Sequence, residues 1–130
     1  MVIEAGQEAV LRCPNGVVVT VRRETLRETV TLNCGPIDPA TVPPTPGRRL
    51  GDVLFEVIAN DGRLAELPSE INLGVDYGDE DLAGLNEQQL ILGFLDNGRW
   101  TTAPKLATDP ANNFVSASVT RLGVYAVYSR

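Results

Sequence analysis

The best-defined chemical pair in this chain of 130 residues is Cys13 and Cys34. A bridge between them would enclose about 22 residues and add roughly 3 kcal/mol by restricting the unfolded chain. The alternative is two reduced, half-buried cysteines; an all-β, proline-rich chain favours the bridge. With no histidine in the sequence, two cysteines alone make a poor zinc site, and no metal or other cofactor is expected. The same lack removes the commonest general base and the usual physiological pH switch. Ser69, Ser116, Ser118 and Ser129 lie in no nucleophile-elbow context. Two carboxylates suited to glycoside hydrolysis can be picked from 17 acidic residues by chance, so their availability carries no weight. The chain is therefore not expected to be an enzyme.

Other polar groups have ordinary roles open to them. Asp76, Asp79, Glu80 and Asp81 match no calcium-loop spacing and suit a solvated turn in which Asp79 caps one turn of helix. Arg22, Arg23 and Arg27 form a basic cluster that Glu24 and Glu28 largely neutralise, and Arg48-Arg49 repeats it on a smaller scale. Trp100 follows an Asn-Gly turn and is expected to pack against a facing sheet. Its competing role is a stacking platform for a sugar, a role open also to Tyr77. Lys105 is the only lysine, and its neighbours Pro104 and Leu106 do not demand the burial that an intramolecular amide bond would need.

The segments that carry these residues read as strands. Asn15-Gly16 joins two runs, residues 9–13 and the β-branched residues 17–21, as a hairpin. Residues 29–34 alternate strictly, placing Val30 and Leu32 on one face of a third strand. Five of the nine prolines fall in residues 35–47, which predicts an extended surface strap between strands of one sandwich. Residues 50–59 read as a strand ending at Asn60-Asp61-Gly62, and residues 71–77 as another, with Pro68 at its start. Residues 90–96 and 99–102 flank a second Asn-Gly turn, and residues 114–120 and 124–128 close the series. Seven to nine short strands without an amphipathic helix predict an all-β, antiparallel β-sandwich.

Length suits one domain spanning residues 1–130. A hydrophobic share of 43% against 22% charged residues is that of a folding chain. The net charge of -6 disfavours nucleic acid and anionic lipid as partners. No run approaches the ~20 apolar residues of a membrane span. Glu4 and Glu8 near the start leave no signal-peptide pattern, as in a module excised from a longer chain.

In their order, these segments resemble bacterial relatives of the ZU5 domain across roughly residues 8–128. The likeness rests on the first hairpin around Asn15-Gly16, on residues 71–85, on Asp96-Asn97-Gly98-Arg99-Trp100, and on Asn113-Phe114-Val115-Ser116-Ala117-Ser118-Val119-Thr120. The resemblance implies an Ig-like or ZU5-like sandwich serving as an accessory piece of a longer surface or scaffold protein. Some members cut their own backbone at a histidine-phenylalanine-serine step. The matching positions here are Arg121, Leu122 and Gly123, which supply neither nucleophile nor base, so the resemblance implies that this chemistry is lost. A second departure is Arg22-Arg23-Glu24-Thr25-Leu26, where the family usually has proline-alanine-glycine-alanine-leucine. The expected role is a structural or protein-interaction module, extracellular or at the cell surface. It would bind other domains or itself through sheet edges, with carbohydrate binding as the alternative.

Overall fold

The computed structural model describes residues 1–129. Its strands are β1 (Val2–Ile3), β2 (Ala9–Arg12), β3 (Val17–Val21), β4 (Val30–Pro36), β5 (Arg48–Ala59), β6 (Glu66–Asp76), β7 (Leu90–Asp96), β8 (Arg99–Thr102), β9 (Ala107–Asp109), β10 (Phe114–Arg121) and β11 (Gly123–Ser129). One short helix, α1 (Asp79–Leu82), interrupts them. The count exceeds the seven to nine expected chiefly because β1 and β9, of two and three residues, are too short to show alternation.

The strands form an antiparallel β-sandwich. One sheet has six strands in the order β1-β4-β5-β11-β7-β8, the other five in the order β2-β3-β6-β10-β9. Both Asn-Gly pairs turn as expected. Asn15 and Gly16 take φ of 64° and 77° between β2 and β3, and Asn97 and Gly98 take 50° and 79° between β7 and β8. A side chain at position 16 would run into the backbone carbonyl of Asp76.

The residues expected on the inner face of β4, Val30 and Leu32, are buried in the core with Val17, Val19, Leu73, Val75, Phe55 and Tyr125. Strand β4, however, does not extend the first hairpin's sheet. It pairs with β1 and β5, so the chain crosses between sheets at residues 22–29. Thr25 anchors that crossing, buried, with its hydroxyl donating to the carbonyl of Glu70 at 3.2 Å.

Pro68 lies inside β6 rather than at its start. The strand tolerates it because β3 pairs only with residues 72–75 of β6, and the pairing with β10 shifts register between Val119 and Arg121. The missing proline N–H therefore falls at an irregular, one-sided stretch of ladder.

The strap, residues 37–47, leaves β4 and crosses the outer face of the six-stranded sheet before entering β5. Beneath it lies a second apolar cluster, in which Leu54, Ala126 and Tyr128 are buried together and Ile37, Val42, Ile91 and Trp100 pack against them. Strands β5 and β11 are thus covered on both faces, which is why residues 125–129 are all buried instead of alternating.

Candidate functional site

Cys13 follows β2 at the edge of the five-stranded sheet, whereas Cys34 sits in β4 of the other sheet. They form a disulfide with Cα atoms 5.8 Å apart. The bridge therefore ties sheet to sheet rather than stapling neighbouring strands, and it closes the sandwich on the side of β2 and β4. Both cysteines pack, half-buried, against the main core.

Arg121, Leu122 and Gly123 form the corner at which the chain leaves β10 in one sheet and enters β11 in the other. The Leu122 N–H donates to the carbonyl of Ala65 at 2.9 Å, and Gly123 takes φ of 148°. The Tyr125 hydroxyl donates back to the carbonyl of Arg121, so a buried side chain pins the corner in the manner of a tyrosine corner. Burial pushes the Tyr125 hydroxyl pKa well above the ordinary tyrosine value, with the nearby Arg121 guanidinium opposing in part.

Arg121 lies 4.7 Å over the ring of Phe94, and its Nη2 meets Asp96 Oδ1 at 3.0 Å. The hydrogen bond from Arg121 lowers the Asp96 pKa and raises that of Arg121. Phe94, Asp96 and Tyr125 were not singled out in the sequence as partners of this corner. The usable signal was Tyr125 standing two residues beyond a glycine at a strand's start. The cavity beside the corner, lined by Phe94, Thr101, Thr120, Arg121 and Tyr125, holds about 160 Å³. That is below the ~300–1,000 Å³ of typical small-ligand pockets. Thr101 and Thr120 already donate their hydroxyls to the Phe94 carbonyl and the Glu66 carboxylate, both at 3.3 Å. The corner acts as a structural joint.

The two aromatic candidates are far apart in the topology and differ in setting. Tyr77 directly follows β6 and is only 6% exposed, so it offers no stacking platform. Burial, then the carboxylates of Glu87, Asp109 and Asp79, raise its pKa. Trp100, on edge strand β8, does not face the opposite sheet as expected. It belongs to the outer cluster, edge-on to Tyr128 at 6.3 Å between centroids, and its Nε1–H donates to the Pro43 carbonyl at 3.1 Å. The reason is register: Trp100 pairs with Leu95, whose neighbour Phe94 points inward, so position 100 points outward.

Charged clusters take local roles. Asp79 is the first residue of α1 rather than its cap; Asp81 reaches back to accept the Gly78 N–H at 3.0 Å, while Asp79 accepts from Asn113 Nδ2 at 2.8 Å. Arg23 pairs with Glu8 at 3.4 Å on the surface. Lys105 pairs with Glu70 at 2.8 Å and is 66% exposed, a setting unlike that of a buried amide cross-link. Among the described residues no three His, Cys, Asp or Glu side chains converge as metal ligands do. No helix among them is long and apolar enough to cross a membrane. In comparisons with known proteins, no family model, curated protein or solved structure matches the chain.

Proposed function

We propose that this chain is a non-catalytic structural and protein-interaction module of a larger extracellular or cell-surface protein, joining a second copy or a neighbouring domain through a sheet edge. The observation that carries the reading is the Cys13–Cys34 bridge between the two sheets. Such cross-links persist in oxidising compartments and compensate for modest cores. The edge is β2, whose outer side has no strand partner among the described residues and whose Val10 is 49% exposed. The ZU5-like assignment belongs to this proposal, supported by the order of the hairpins along the chain.

Sedimentation of the oxidised protein over a concentration series tests it, with Val10→Lys as the edge-blocking variant. Concentration-dependent assembly that the lysine abolishes supports the reading. A chain that stays monomeric to about 1 mM, with or without the lysine, contradicts association through this edge.

A further inference from the structure

The two outermost strands of the five-stranded sheet complement each other. Antiparallel steps lead from β2 to β3, β6, β10 and β9 in turn, so β2 and β9 run in the same direction. Neither has a strand partner on its outer side among the described residues. A second copy displaced along the sheet, without being turned over, therefore lays its β2 parallel to β9 of the first.

The ladders already formed fix which backbone groups are left over. Cys13 N–H donates to the Val17 carbonyl at 2.8 Å, and bonded pairs recur at every second residue, so Leu11 and Ala9 also turn their backbone groups toward β3. Val10 and Arg12 turn theirs outward. At the other end of the sheet, Tyr77 N–H donates to the Asn113 carbonyl at 3.0 Å, which assigns Val115 and Ala117 to the β6 ladder and Phe114 and Ser116 to β9. Their partners on β9 are Asp109 and Ala107, so Thr108 between them faces outward. In a parallel ladder one residue bonds to those before and after its opposite number. Thr108 set opposite Leu11 meets that condition, its N–H reaching the Val10 carbonyl of the second copy and its carbonyl the Arg12 N–H.

The side chains agree with this register. Thr108 pairs with buried Val115, and Leu11 packs against the main core, so both belong to the inner face. On the outer face Val10 comes beside Ala107 and Arg12 beside Asp109, all four exposed, giving one apolar pair and one pair of opposite charges. We infer that β2 of one copy adds in parallel to β9 of the next, with Arg12 opposite Asp109, building an open head-to-tail chain; this rests on the edge reading of β2 given above and names its partner.

Sedimentation of the oxidised protein with charge reversals tests it. Arg12→Asp and Asp109→Arg, both at exposed positions, should each weaken association at least about tenfold, because either one sets like charges together at every contact. An equimolar mixture of the two should recover wild-type association, since each variant offers the charge that the other lacks. Amide-proton spectra of each variant check the fold. A folded Asp109→Arg protein that assembles like the wild type, or a mixture that assembles no better than its components, overturns the inference. Assembly lost in Val10→Lys but unchanged in Asp109→Arg removes β9 as the partner and leaves the β2 edge. A wild-type chain monomeric to about 1 mM removes both.

Discussion

The two faces of the six-stranded sheet bury their aromatic residues in different ways. On the inner face Tyr125 stacks on Phe55 at 5.9 Å and tilts against Phe94 at 4.9 Å, within the core that the opposite sheet covers with residues of β3, β6 and β10. On the outer face Tyr128 meets Trp100 at 6.3 Å, sealed by one loop that contributes the half-buried side chains of Ile37 and Val42. The inner face is held by many residues of high sequence separation. The outer one depends on a strap with few backbone donors, anchored by a single indole hydrogen bond and one backbone contact. The comparison separates a global core from a locally detachable cover.

The largest expected effect tests that separation directly. Tyr125→Ala should cost about 3–5 kcal/mol in urea unfolding, the loss typical of a fully buried aromatic. Trp100→Ala, on the half-buried outer patch, should cost about 1–2 kcal/mol. Equal losses at the two sites would break the distinction between the faces. Next in size is the joint replacement of Cys13 and Cys34 by serine. It should lower stability by roughly 3 kcal/mol, read as a lower urea midpoint. The outer cover should be unaffected, since the bridge lies on the β2 and β4 side of the sandwich.

The smallest effect is with pH. Tyr77 and Tyr125 both have pKa values raised above the ordinary 10.0 by burial. A raised value in the folded state means that their stabilising contribution is complete below the unfolded pKa and lost as pH rises through the folded one. Stability should therefore decline only above about pH 10, as a falling urea midpoint, and Tyr125→Phe should blunt that decline. A decline that begins near neutrality would point to other groups.

Much of the fold was legible because its signals are local. The Asn15-Gly16 and Asn97-Gly98 turns need only two residues with positive φ, and the inward positions of Val30 and Leu32 follow from period two. The prolines of residues 35–47 marked a strap by their missing donors. What stayed hidden depends on which sheet a strand joins. The transfer of β4 to the six-stranded sheet turned the cysteine pair into a link between sheets, and no local pattern encodes that pairing. Trp100 was misplaced for a related reason. An aromatic beside a turn is expected in the core, yet its face is set by pairing to Leu95, and the outer face became apolar only because the strap covers it. Tyr77 looked free to stack on a ligand because the chemistry of an aromatic does not reveal its burial.

The account turns on the strap being held to the outer face by Trp100. Hydrogen exchange of the Trp100 indole N–H, followed by NMR together with its contacts to Val42 and Pro43, measures this most directly. The predicted result is an indole proton protected from exchange and close to both residues, with protection lost well before the backbone amides of β11 open. An indole exchanging at the rate of a free tryptophan, or contacting neither residue, would contradict it.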